Sequence, residues 1–217
     1  MGDEVYERLL ASLISLKIPP GSRISVDALA RKLKVSQTPI RAALIRLETQ
    51  GLVVSAHNVG YSAAPLPTAN QFSDMYDFRL LVEPPMARRA AERTGPKEKK
   101  ELTTLAGAMQ RPLATGKRAE YGRFALSDSA FHLWVARKGG NTVVVDALER
   151  LHIHSQLFRL RYHSAVTSEA IKEHDAIVQA IVAGDGKGAH RAMEQHIIAS
   201  RERMEPFFKD IEEEPDV

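Results

Sequence analysis

Asp128 and His132 stand four residues apart in a helix-patterned stretch, so both side chains leave one face of one helix. His174 stands near the start of the next-to-last helix-patterned segment. His196 lies inside the last one, between Ala192-Met193 and Ile197-Ile198. One carboxylate and three imidazoles form a donor set suited to a borderline divalent cation such as Zn2+, Ni2+, Mn2+ or Fe2+. A plainer role suits the same residues, because a single inward histidine is more often a hydrogen-bonded member of a core. The chain holds eight histidines, and His152, His154, His163 and His190 are equally visible to a search by spacing.

These donors need helices to hold them. From Thr68 onward nearly all of the chain carries helical patterning, and the periodicity predicts helices over 69–94, 96–113, 116–138, 141–163, 168–183 and 186–209. Gly95-Pro96, Gly139-Gly140 and Gly184-Asp185-Gly186 punctuate them, and Thr68, Asn141, Thr167 and Asp185 are placed to cap them. Pro84-Pro85 falls inside the first long helix, where each proline removes a donor and clashes one turn back, so a kink or break is expected there. The acidic tail Glu212-Glu213-Glu214-Pro215-Asp216 reads as solvated and disordered.

The first 66 residues are patterned differently. Asp3 to Leu16 is amphipathic, with Val5, Leu9, Leu10, Leu13 and Ile14 on one face, and the stiff turn Ile18-Pro19-Pro20-Gly21 follows. Ser25 caps a short helix with Leu29 and Leu33 inward. Ser36 caps a second, running to about Gln50, with Ile40, Leu44 and Leu47 inward and Pro39 tolerated in its first turn. Two short helices joined by a tight turn make a helix-turn-helix. The side chains that open the second helix, Ser36, Gln37, Thr38 and Arg41, are those that would reach base edges in a major groove. Leu52-Val53-Val54 and Tyr61-Ser62-Ala63 then flank His57-Asn58-Val59-Gly60, which predicts a hairpin wing with His57 at its tip.

Bulk properties agree with a DNA-binding head. Residues 1–66 hold eight Lys/Arg against five Asp/Glu, whereas residues 67–217 hold 22 of each, so the net charge of +3 lies in the first third of the chain. The absence of cysteine excludes disulfides and thiolate metal sites and is compatible with a reducing cytoplasm. The acidic start Met1-Gly2-Asp3-Glu4 offers no signal peptide, and no uncharged apolar run approaches the ~20 residues of a membrane span.

Pro19-Pro20-Gly21-Ser22-Arg23-Ile24-Ser25, Leu29-Ala30, Val35-Ser36-Gln37-Thr38-Pro39-Ile40-Arg41-Ala42-Ala43-Leu44, Leu47-Glu48 and Gly51-Leu52-Val53 occur in the order found in one bacterial family. Over about residues 5–64 the chain resembles the DNA-binding domain of GntR-family repressors. That resemblance implies a homodimer on a short palindromic operator of double-stranded DNA. It places the DNA contacts on Ser36, Gln37, Thr38, Arg41 and the wing His57, with Arg46 on the outer face of the same helix reaching toward phosphate. The chain departs from the family at Gln37, where Arg is usual, at Ala42, where Glu is frequent, at Asp27, where some members place a basic residue, and at Lys34, which replaces the turn glycine. These departures bear on the operator sequence more than on DNA binding itself.

Further on, Phe78-Arg79-Leu80-Leu81-Val82-Glu83, Ala87-Arg88-Arg89-Ala90-Ala91, Asp128-Ser129-Ala130-Phe131-His132, Gly140-Asn141, Glu173-His174 and Ala192-Met193-Glu194-Gln195-His196 resemble the FadR-type, or FCD, ligand-binding domain over about residues 70–208. The resemblance implies an all-α bundle of six to seven helices. It implies a divalent cation held by Asp128, His132, His174 and His196, and a small organic acid whose carboxylate completes the coordination. His152, His154 and His163 fall outside the matched ligand set. The family's cavity arginine falls on Arg79, for which an ion pair with Glu83 one turn away is an equally natural role.

The sequence thus predicts a mainly α protein. A winged helix-turn-helix occupies 1–66, and an all-helical sensing and dimerisation domain occupies 67–217. The function it implies is that of a cytoplasmic transcription regulator, with repression the expected mode and no enzymatic activity. Two other readings stay open: a regulator for which the metal itself is the effector, and a metal-dependent hydrolase, which lacks an obvious general base outside the metal set.

Overall fold

Val5, Leu9, Leu10, Leu13 and Ile14 lie on one stripe of helix α1 (Gly2–Ile14), and all five are buried. The computed structural model describes residues 2–56, 60–109, 118–157, 159 and 164–206. After α1 come strand β1 (Arg23–Ile24), α2 (Val26–Leu33), α3 (Gln37–Glu48), and strands β2 (Val53–Ala56) and β3 (Gly60–Ala63). Ser25 caps α2 by accepting from the Ala28 amide. Lys34, in the place of the turn glycine, takes the left-handed conformation (φ 55°) and ends α2. Ile40, Leu44 and Leu47 of α3 are fully buried against α1, which leaves the opposite face of α3 to solvent.

The hairpin forms as expected, with Val53 opposite Ala63 and Ala56 opposite Gly60. It gains a third strand that local patterning does not predict. β1 pairs antiparallel with β3, giving the order β1-β3-β2. Gly21 (φ +74°) turns the chain into that pairing, and its amide donates to the Ala63 carbonyl at 3.0 Å.

The rest is helical: α4 (Ala69–Arg93), α5 (Pro96–Met109), α6 (Arg118–Gly139), α7 (Thr142–Leu151), α8 (Ile153–Leu157), α9 (Ser164–Ala183) and α10 (Gly186–Met204). Thr68 opens α4 with a capping box to Gln71, and Asn141 and Asp185 cap α7 and α10. α4 packs against α6, α9 and α10 around the apolar side chains of Phe131, Met193 and Ile197.

Three expectations are corrected. α4 runs unbroken through Pro84-Pro85. Leu81, whose carbonyl loses its partner to Pro85, is 76% exposed and open to water, and packing on three helices holds the rest of α4 in line. The stretch read as one helix over 141–163 is interrupted at His152, which adopts a left-handed conformation (φ 48°) between α7 and α8. Finally, α9 begins at Ser164, so Thr167 lies within it and is not its cap.

The N-terminal elements rest on α6. Gly122 permits the approach: a Cβ placed there would come 3.2 Å from the Leu10 side chain. Arg123 of α6 and Glu7 of α1 pair at 3.4 Å beside that contact.

Candidate metal centre and nucleic-acid interface

The one-turn spacing on α6 does put Asp128 and His132 on a common inward face, and α9 and α10 bring His174 and His196 to meet them. All four residues are at most 3% exposed, and one ligand atom from each lies within 4.8 Å of the others. Nε2 of His174 stands 3.3 Å from Asp128 Oδ1, and Nε2 of His132 stands 3.9 Å from Asp128 Oδ2. No hydrogen-bond partner is present for Nε2 of His132 or for either ring nitrogen of His174. Buried polar atoms are costly when unpaired. A cation at the centre would satisfy these lone pairs and the carboxylate together, so the donor set fits a divalent ion.

The protonation preferences have the same cause. Burial pushes the Asp128 carboxyl up to about 8, against the pull of Arg79. Burial also holds His132 and His174 well below the usual imidazole range and lowers His196. Three neutral imidazoles therefore present lone pairs around a carboxyl that gives up its proton readily only to a cation.

Two carboxylates stand behind the histidines and orient them. Glu83 of α4 accepts from Arg79 Nε at 2.7 Å through one oxygen and pairs with His132 Nδ1 through the other. That leaves His132 Nε2 facing the centre. On α9, Glu173 sits 2.8 Å from His196 Nδ1 and is itself held by Arg203. Metal-ligating histidines are commonly fixed by a carboxylate on the far ring nitrogen in this way. Burial would raise Glu83, but the Arg79 guanidinium and the hydrogen bond with His132 outweigh it and hold the carboxyl well below its ordinary range. Glu83, His132 and His154 also cluster closely enough to suggest a second ion. Both Glu83 oxygens are already engaged, so this trio supports the first centre.

Arg79 pairs with Glu83 and also borders a cavity. It is 2% exposed and paired with Glu83, yet its Nη2 is buried without a partner. Arg79, Asp128, His154, His196, Ser200 and Arg203 line a cavity of about 10 Å³, room for about one water molecule.

His154 stands beside the four donors. Outside the matched ligand set, it nevertheless lies at the centre, 2% exposed and stacked on His132 with ring centroids 4.3 Å apart. The break at His152 carries it there. Glu83 and Glu173 in their supporting roles were also missed, because each meets its histidine from another helix. His190 is half-buried on α10, and His163 lies outside the described residues.

At the other end, Ser36, Gln37, Thr38 and Arg41 open α3 and are all exposed. The Gln37 amide donates to Asp27, and Arg41 reaches the Gln37 oxygen at 3.5 Å. Asp27 therefore holds the Gln37 side chain in place at the start of α3. Arg46 pairs with Asp3 at 2.9 Å and lies 3.8 Å over the Tyr6 ring. His57 lies outside the described residues.

Residues 1–62 match the family model for bacterial regulatory proteins of the gntR family, and residues 74–199 match that for the FCD domain. The chain belongs to the GntR family. It is a transcriptional regulator of the GntR/FCD type, and GntR-family regulators bind DNA. Similar relatives include the HTH-type transcriptional regulator LutR of Bacillus subtilis, 27% identical over 218 residues, which span 89% of this chain and 96% of LutR. The HTH-type transcriptional repressor RspR of Escherichia coli K12 is 24% identical over 201 residues, spanning 91% and 86%. Among solved structures, E. coli McbR/YncC shares the fold with a TM-score of 0.65 at 19% identity, covering 97% of this chain and 98% of its own. A GntR regulator from Rhodococcus sp. RHA1 gives 0.63 at 19% identity, over 94% and 97%. Among the described residues of this GntR regulator, no helix is long and apolar enough to cross a membrane.

Proposed function

We propose that this regulator is a cytoplasmic homodimeric repressor whose grip on a palindromic operator is set by a small organic acid bound at a divalent ion. Residues 1–66 form the DNA-binding domain, with Ser36, Gln37, Thr38, Arg41, Arg46 and His57 on the operator. Residues 67–217 form the sensing and dimerisation domain, with Asp128, His132, His174 and His196 on the ion. One observation carries the reading: four buried donors converge within 4.8 Å while His132 and His174 keep nitrogens with no hydrogen-bond partner. Four protein ligands leave positions open on a cation that takes five or six. The unpartnered Nη2 of Arg79 is the group that would receive a carboxylate bound there. The relative RspR, named as a repressor, supports the mode of action.

A second reading makes the ion alone the effector. The 10 Å³ cavity favours it, since that space suits an ion and must widen for an organic acid. One experiment separates the two. An operator selected from a random pool by the protein itself is titrated, with fluorescence anisotropy as readout, by protein that is chelator-stripped, Zn2+-loaded, or Zn2+-loaded with a panel of small organic acids. A change in affinity with an acid, dependent on Zn2+, supports the first reading. A change with Zn2+ alone supports the second. Equal affinity in every condition overturns both.

A further inference from the structure

The short helix α8 touches both ends of the molecule. His154 lines the metal cavity and stacks on His132. Two residues on, Gln156 donates through Nε2 to the Gly51 carbonyl at 2.6 Å. Arg159 then donates to the Ala64 carbonyl at 2.6 Å and to the Pro65 carbonyl at 3.2 Å, and braces Gln156 at 3.1 Å. Gly51 leads into β2 of the wing, and Ala64 and Pro65 follow β3. The Ala64 amide closes this base by donating to the Leu52 carbonyl at 3.0 Å. Gln156 and Arg159 therefore hold both sides of the wing's base.

The grip is specific. Arg159 is 1% exposed, so its bonds to carbonyls are shielded from competing water. Gly51 has a left-handed backbone (φ +69°), and a Cβ there would fall 2.5 Å from the His152 side chain. The segment that starts at His152 and ends at Arg159 is thus fitted to the wing at both ends, with His154 between them.

We propose that α8 is the coupling strap of the regulator, transmitting the state of the metal centre from His154 to the base of the wing through Gln156 and Arg159. This rests on the ion site proposed above. An ion on His132 Nε2 fixes the ring on which His154 stacks. His154 belongs to a helix of five residues, whereas the ligands Asp128, His132, His174 and His196 belong to helices of 19 to 22 residues. α8 is the wall of the cavity with the least structure of its own to resist a shift. One helical turn moves as a unit, so displacement at His154 reaches Gln156 directly, and Arg159 follows through its amide and guanidinium bonds to Gln156 at 3.2 and 3.1 Å.

Hydrogen exchange of the full-length protein, read by mass spectrometry with Zn2+ alone as the probe, tests the strap. In the wild type, Zn2+ should slow exchange severalfold in peptides from α6, α9 and α10 and also in those covering residues 50–66. In Arg159→Ala the slowing in the three helices should persist while that at 50–66 disappears. Gln156→Ala, at a half-buried position, gives the same comparison should Arg159→Ala fail to fold. Slowing at 50–66 that survives both substitutions overturns the strap and leaves the ion site standing. So does slowing confined to the three helices in the wild type. No slowing anywhere overturns the ion site and the strap with it.

Discussion

Loading of the metal centre should depend steeply on pH between 6 and 8, and one side chain should account for the slope. Burial holds the Asp128 carboxyl up at about 8, so below that pH the empty site carries a proton that a cation must displace. The deprotonated fraction of a group with that pKa falls roughly 50-fold from pH 8 to pH 6, about 2.3 kcal/mol at about 1.36 kcal/mol per factor of ten. His132 and His174, held well below the imidazole range by burial, stay neutral across the window and release nothing. The sign follows: affinity for Zn2+ falls as pH falls. Competition against a chelator of known affinity at pH 6, 7 and 8 measures the slope. Calorimetry in two buffers of different protonation enthalpy counts the proton, about one per ion at pH 6. Asp128→Asn should bind more weakly at pH 8 and lose most of the slope. A wild-type affinity flat from pH 6 to 8, or an Asn variant with the wild-type slope, refutes the reasoning.

Other consequences are simpler to test. Glu173→Gln weakens the partner of His196 and should lower Zn2+ affinity by about 10–100-fold with the helical content by circular dichroism unchanged. Arg41→Ala leaves the fold intact, since the side chain is exposed at the start of α3, and should cost ~1–3 kcal/mol of operator affinity at matched salt, concentrated at one base pair. Sedimentation should find a dimer at micromolar concentration without DNA, and a monomer there would contradict the palindromic operator. The metal-free protein should gain stability from Asp128 below its unfolded pKa of 3.8 and lose it as pH rises through about 8, while the buried histidines lose theirs as pH falls below 6.5. Zn2+ should remove the loss at the alkaline end, which thermal melts at pH 6, 7 and 8 would show.

What was readable in the sequence was readable because it is local. Asp128 and His132 share a helix face by spacing alone, and Arg79 and Glu83 pair across one turn for the same reason. Ser25, Thr68, Asn141 and Asp185 cap their helices as their types dictate. The convergence of His174 and His196 on α6 has no local signature and was implied by family resemblance. The supports of the site were hidden for the same reason: Glu83 meets His132 across 49 residues of chain, and Glu173 meets His196 across 23. His154 stayed out of sight because the left-handed turn at His152 interrupts a periodicity that reads as one helix, and that turn is fitted to Gly51 from the far end of the chain. Strand β1 is two residues long and exists only through its pairing with β3. At Pro84-Pro85 a local rule gave way to packing.

The central claim is that the four buried donors hold one divalent ion. Titrating metal-free, full-length protein with Zn2+ at pH 8 in a calorimeter tests it most directly, with His174→Ala beside it. The account predicts about one ion per chain in the wild type and binding weakened at least tenfold in His174→Ala, which loses a ligand. A wild type that takes up no Zn2+, or a His174→Ala protein that binds it as tightly as the wild type, would contradict the account.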